Sequence, residues 1–244
     1  MRPIAVVLAA GKGTRMRSDL PKVLHPLAGE PLVAHAIRAA RAAGADGVVV
    51  VVGHQAELVR AELEPRFDGL TFAVQPQMLG TGDAVRCALP GLAGHDGPVL
   101  ILSGDVPLTR PSTLRGLVDA CAESGAGLAL ATFTPDDPTG YGRIVRDSAG
   151  RVRAIVEHRD AGPAERAIGE CNGGVYCADA ALLRAELPRL GSANAQGEIY
   201  LTDLVGLAAD RGVVALHVPP DEVAGVNTPE QLAALAAVHA ARLA

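Results

Sequence analysis

Apolar residues along this chain follow two patterns in turn. Short aliphatic runs bounded by glycine, proline or charge predict buried strands at 4–8, 48–52, 70–74, 99–102 and 127–133. Between them, apolar residues spaced three and four apart predict helices. Leu32, Val33, Ala36, Ile37 and Ala40 share one face of a helix over 31–43, with Pro31 at its start and Gly44 at its end. Further helices are expected over 55–63, from Gly80 to about Leu89, and over 113–123. Such alternation implies βαβ units and a mainly parallel sheet. It breaks near 134–146, where Pro, Asp and Gly replace it. Strands at 143–146, 152–157 and 174–177 then precede helices over 179–187 and 199–210 and a strand at 213–218. Thr228-Pro229-Glu230-Gln231 predicts a capping box opening a last helix that runs to Ala244.

Composition narrows the picture. The 244 residues are 49% hydrophobic but only 2% aromatic, with no Trp, so the core must be aliphatic and closely packed. The scarcity of aromatics argues against reading single-stranded nucleic acid by base stacking. A net charge of −5 argues against general nucleic-acid or membrane affinity. No run of some eighteen apolar residues is present to span a bilayer, and the N-terminus lacks a signal-type pattern. Cys87, Cys121, Cys171 and Cys177 lack the spacing of a zinc site, so they are expected to be buried hydrophobes in a reducing cytoplasm.

Against this acidic background, one basic cluster stands out. The first strand runs into Ala9-Ala10-Gly11-Lys12-Gly13-Thr14-Arg15-Met16, with Arg17 and Lys22 close behind. Glycines permit a sharp bend and close backbone approach to a ligand, and successive N–H groups in such a bend form an anion-binding concavity. Lys12 and Lys22 are the only lysines in a chain with twenty arginines, which suggests that a compact ammonium is needed here. The loop fits neither the Walker pattern nor the Rossmann fingerprint, since Met16 stands where a third glycine would be. It reads as a triphosphate cradle, or as a plain strand-to-loop turn with surface cations. Asp105 lies just beyond the strand at 99–102, where ligands of open parallel sheets bind, and is either a metal-holding carboxylate or a turn cap. On residue type alone, Gln75 is a polar strand end, Glu157 a surface charge beside Arg159, and Asn227 part of a helix entry.

Several segments occur together in one order: Leu8 through Met16, Pro21-Lys22-Val23-Leu24, Gly80-Thr81-Gly82, Gly104-Asp105-Val106-Pro107-Leu108, Asp137-Pro138-Thr139-Gly140-Tyr141-Gly142-Arg143-Ile144, Val156-Glu157-His158, Asn194-Ala195-Gln196-Gly197-Glu198 and Gly225-Val226-Asn227. Across almost the whole chain this closely resembles the uridyltransferase half of the bifunctional enzyme that makes UDP-N-acetylglucosamine. The resemblance implies an α/β, Rossmann-like nucleotidyltransferase fold over 1–227, its mostly parallel sheet covered by helices on both faces. It also implies a β-rich sugar-binding excursion at about 134–177. The helix 228–244 resembles the connector to a β-helix domain absent from this chain, so a monomer or weak oligomer is expected.

By the same resemblance UTP lies over Leu8, Ala9, Ala10 and Gly11, with Gln75, Gly80 and Thr81 on the uracil. Ser103 and Gly104 join the substrate site, and Gly140, Glu157 and Asn172 contact the sugar. Asp105 and Asn227 hold Mg²⁺, while Arg15 and Lys22 are the catalytic cations. The expected reaction is attack of N-acetylglucosamine 1-phosphate on UTP, releasing pyrophosphate, in the supply of cell-wall and lipopolysaccharide precursors. The chain departs from the family pattern at Ser103, Gly173 and Ile199, near the expected sugar phosphate. Another sugar 1-phosphate, such as glucose 1-phosphate, or a non-catalytic UDP-sugar-binding role are the alternatives.

Overall fold

The computed structural model describes residues 1–125 and 127–243. In chain order the elements are β1 (Ile4–Ala9), β2 (Pro26–Leu27), β3 (Glu30–Pro31), α1 (Leu32–Ala42), β4 (Gly47–Val52), α2 (Ala56–Leu63), β5 (Leu70–Val74), α3 (Thr81–Ala88), β6 (Pro98–Ser103) and α4 (Pro111–Ser124). There follow β7 (Leu128–Phe133), β8 (Arg143–Arg146), β9 (Val152–Val156), α5 (Pro163–Arg166), β10 (Cys171–Asp179), α6 (Ala180–Glu186), α7 (Asp203–Ala208), β11 (Val214–His217) and α8 (Pro229–Leu243). The last helix, expected to reach Ala244, is described as far as Leu243, and Ala244 lies outside the described residues.

The main sheet runs β11-β7-β10-β6-β1-β4-β5, with β8 and β9 attached through the start of β10. Every neighbouring pair along that order is parallel except those made by β10, which is antiparallel to both β6 and β7. The unbroken valine run of β4 is buried on both faces, as a strand between two layers of helices must be. Side chains of β1 alternate between two cores. Ala5, Val7 and Ala9 pack with Val33, Ile37 and Leu114 of α1 and α4, whereas Val6 packs with Val85, Leu183 and Val205 of α3, α6 and α7. Each fully buried valine, leucine or isoleucine among these contributes about 1.5–3 kcal/mol of transfer free energy.

The chain winds one way from β1 through β4 to β5, then returns past β1 to β6. A crevice opens at the carboxyl ends of strands where strand order reverses in this way, so topology directs a ligand to the ends of β1 and β6.

Some boundaries differ from expectation for local reasons. The helix expected from Gln55 begins at Ala56, because Gln55 takes a left-handed conformation with φ 52°. The helix expected from Ile199 begins at Asp203. The Ile199 N–H donates to Leu79 O at 2.6 Å and its carbonyl accepts from Gly82 N–H at 2.8 Å, so its backbone is committed across the molecule. The strand expected at 174–177 extends back to Cys171 because its start pairs with β8 as well as β7. The β2–β3 hairpin, turning on Ala28 and Gly29 with φ of 50° and 84°, has no apolar run long enough to announce it.

Candidate active site

The ends of β1 and β6 are locked together. Leu8 is in register with Ser103, and Gly104 N–H donates to Leu8 O at 2.8 Å. A Cβ on Gly104 would lie 3.0 Å from that carbonyl, so glycine keeps the two strand ends close. Beyond β1 the loop turns at Gly13, which has φ 62°. A Cβ at Gly13 would fall 2.4 Å from Lys22 Cβ, so this glycine is what lets Lys22 pass beneath the loop. Gly11 differs: a Cβ there would meet nothing within 4 Å, only the open cleft.

Four charged or polar side chains from distant parts of the sequence meet below that loop. Lys22 Nζ donates to Asp105 Oδ2 and, at 3.0 Å, to Asn227 Oδ1. Arg15 Nη2 donates to the same Asn227 oxygen at 2.9 Å. Asn227 arrives here because Val226 N–H bonds the Asp105 carbonyl at 2.9 Å. A Cβ on Gly225 would make only ordinary contact, 3.9 Å from both Asp105 Oδ2 and Asn227 Nδ2, so their approach does not depend on that glycine. Two hard oxygen donors thus share the Lys22 ammonium, and Arg15 brings a second cation to the Asn227 oxygen. A carboxylate plus a carboxamide oxygen is a donor set that fits a hard divalent ion whose remaining positions go to phosphate and water. Among the described residues no group of three or more His, Cys, Asp or Glu is placed to hold a metal, so at this site the protein offers these two oxygens alone.

At the other end of the cleft, Gln75 is buried beyond β5, its backbone N–H bonded to Val52 O at 2.8 Å. Its side-chain Nε2 donates to Gly80 O at 3.0 Å and to Asp83 Oδ2 at 2.9 Å. Gly80 has φ 119°, and a Cβ on it would strike Ile199 O at 2.4 Å. Thr81 Oγ1 accepts from Leu201 N–H at 3.1 Å. Between the two ends lies a cavity of about 440 Å³ lined by nine of the sequence-predicted residues: Leu8, Ala10, Gly11, Lys22, Gln75, Gly80, Thr81, Ser103 and Asp105. Ala9, Arg15, Gly104 and Asn227 are not part of that lining; strand alternation turns Ala9 into the core on the α1 face.

The expected sugar-side residues form a second group outside that lining. Glu157 accepts from the Thr202 hydroxyl at 3.1 Å, rather than pairing with Arg159. Burial lifts its carboxyl above the ordinary carboxylate range, opposed by the Thr202 hydrogen bond. Asn172 is held at both ends, donating to Tyr176 Oη at 2.7 Å and accepting from Gly174 N–H at 3.0 Å. Burial, and next the neighbouring Glu157 charge, pushes the Tyr176 phenol well up. Gly140 turns at φ 86° with open space where a Cβ would be. The two groups approach at Gly174, where a Cβ would lie 3.9 Å from Ser103 Oγ. Lys12, Met78 and Glu198 also line the cleft. Glu198 sits in the Asn194–Glu198 segment, but nothing in its spacing from the glycine loop could have placed it opposite.

A parallel sheet with a basic, glycine-turned loop at its topological switch, facing one carboxylate and one carboxamide oxygen, defines a nucleotidyltransferase-type α/β domain. The chain belongs to the MobA-like NTP transferase domain family, whose model matches residues 5–188. It is 53% identical over 243 residues to the bifunctional protein GlmU of Anaeromyxobacter dehalogenans strain 2CP-C, covering 98% of this chain and 50% of that protein. Against the Geobacter metallireducens bifunctional protein GlmU the identity is 52% over 232 residues, covering 94% and 48%. The chain therefore spans about half the length of these relatives.

Among solved structures, a UDP-glucose pyrophosphorylase complexed with UDP-glucose superposes with a TM-score of 0.79 at 18% identity, covering 99% of this chain and all of that one. A putative glucose-1-phosphate thymidylyltransferase from Bacillus anthracis also gives 0.79, at 19% identity, covering 96% and 94%. These two share the fold: a mostly parallel, Rossmann-like sheet between helical layers.

Proposed function

We propose that this domain transfers a uridylyl group from UTP to N-acetylglucosamine 1-phosphate, giving UDP-N-acetylglucosamine and pyrophosphate, in the cytoplasm. The carrying observation is the junction of Arg15, Lys22, Asp105 and Asn227 beneath the glycine loop. At neutral pH the phosphate oxygen of the sugar substrate is already ionised, so the step needs no general base. That oxygen forms a bond to the α-phosphorus of UTP while the bond to the leaving pyrophosphate breaks in line. The protein's part is alignment and neutralisation of charge on the α-phosphate and the leaving group. Arg15 and Lys22 supply cations on one side of the cleft. Asp105 and Asn227 are the residues to hold Mg²⁺, which when bound adds positive charge against the triphosphate. Gln75, Gly80 and Thr81 receive the uracil, and the Glu157 and Asn172 group receives the sugar.

The relatives' name, bifunctional protein GlmU, fits this assignment to the half they share with the chain. The test is pyrophosphate release from UTP and Mg²⁺ with a panel of sugar 1-phosphates. The expected result is turnover fastest with N-acetylglucosamine 1-phosphate. Preference for glucose 1-phosphate would move the assignment to a different sugar, and no turnover with any of them would overturn it.

A further inference from the structure

Gln75 can present only one face of its carboxamide to the cleft. Its Nε2 stands before two acceptors, Gly80 O at 3.0 Å and Asp83 Oδ2 at 2.9 Å. A flipped amide would set Oε1 against both oxygens, so the NH₂ stays turned to the protein and Oε1 is left for a ligand. Gln75 and Asp83 are each only 4% exposed, so water does not compete for these bonds. Asp83 lies in the first turn of α3, and its other oxygen accepts from Arg86 Nη2 at 2.5 Å. A backbone carbonyl alone would tolerate some rotation of the amide; the paired, buried carboxylate adds a second, charged acceptor. Beside this pair, the backbone N–H of Gly80 makes no hydrogen bond to any described residue, and both Gln75 and Gly80 line the cleft. The nucleoside end of the cavity therefore offers an acceptor next to a donor.

With Gln75 Oε1 set against ring position 3 and the Gly80 N–H against position 4, the pyrimidine edges are told apart. Uracil and thymine carry a donor at N3 and an acceptor at O4, whereas cytosine carries an acceptor at N3 and donors at N4. We propose that Asp83 is a specificity-determining positioning residue. Without touching the base, it locks the Gln75 carboxamide so that the cleft takes a 4-oxo pyrimidine nucleotide and rejects cytosine. This rests on the reading that Gln75 faces the base.

The test is calorimetric binding of UTP and CTP in the presence of Mg²⁺ to the whole chain and to Asp83→Leu, Asp83→Asn and Gln75→Leu. The wild type is expected to favour UTP by roughly a hundredfold or more, because CTP would leave both buried groups mismatched. Asp83→Leu frees the amide and should bring the ratio to within about tenfold, chiefly by gaining CTP. Asp83→Asn keeps an oxygen facing Nε2 and should retain most of the preference, which a merely structural role would not predict. If Asp83→Leu folds and keeps the wild-type ratio while Gln75→Leu loses it, the role of Asp83 falls and Gln75 remains the base reader. If Gln75→Leu also keeps the ratio, the base-reading premise falls. Should Asp83→Leu not fold, the Gln75 side-chain amide protons of the wild type decide. Protection from exchange supports the lock, and free exchange overturns it.

Discussion

The ammonium of Lys22 takes two oxygens at once, and the two partners are unequal: Asp105 brings a charge and Asn227 does not. Asp105→Asn keeps the shape and an oxygen for Lys22 but removes the charge. Both side chains of the ion pair are less than a fifth exposed, at 15% and 18%, yet Lys22 retains Asn227 as a partner, so the fold should lose little. Turnover is another matter, since loss of a preorganised charged contact costs about 3–4 kcal/mol, or two to three decades in rate. Steady-state kinetics beside thermal melts should show that decade-scale loss with Tm shifted by only about 2–4 °C. Equal Mg²⁺-dependent rates for variant and wild type would remove Asp105 from the site. Glu157 gives the opposite balance. Burial raises its carboxyl above the ordinary value of 4.5, so the fold favours the neutral form. Its contribution to stability is complete below that ordinary value and is lost as pH rises through the raised one. At neutral pH the charge is therefore a cost, and Glu157→Gln should melt higher than wild type at about pH 7, the gain vanishing toward about pH 4. Melts across that range check the sign; an offset independent of pH would mean the carboxylate is not its origin.

Elements whose pattern is dictated by burial alone were legible in the chain, and those dictated by distant partners were not. The face Leu32, Val33, Ala36, Ile37 and Ala40 is fully buried in α1, because helical spacing and a flat sheet admit one solution. The valine run of β4 is equally unambiguous. The capping box forms as its residues require: Gln231 N–H reaches Thr228 Oγ1 at 3.3 Å, and Gln231 Oε1 accepts from Thr228 N–H at 3.2 Å. Ile199 was not legible, since it carries helical sequence but its backbone is bonded to the Leu79–Gly82 turn. The site divides the same way. Gly13, Lys22 and Asp105 could be found from loop chemistry and strand ends. Asn227 is a helix entry by its neighbours and joins the candidate site because Val226 bonds back to Asp105. Thr202 and Tyr176, which hold Glu157 and Asn172, have no motif; the fold alone brings them there.

Two large cores fill the faces of the sheet, but neither explains how three separate polar segments stay together beyond its strand ends. A third, small cluster does. Met16, Leu108 and Val226 are buried together with Leu27, Leu32 and Leu235, and they flank or lie near Arg15, Asp105 and Asn227 in turn. Leu235 comes from α8, and the same helix sends Arg242 to Leu108 O and to Asp221 Oδ2, each at 2.7 Å. The last helix of the described chain thus clamps the loop after β1, the loop after β6 and the 220–227 segment into one unit. Leu235→Ala removes the apolar tie while leaving every charged residue in place. Core truncations of this kind cost about 2–4 kcal/mol, and urea denaturation should show a loss in that range. If the cluster is the scaffold of the site, kcat/KM for UTP should also fall by roughly tenfold or more at temperatures where the variant is fully folded, because misplacing reacting groups by about 1 Å is expensive. A stability loss with unchanged kcat/KM would show that the strand ends alone hold the charges, and that α8 serves only as cover.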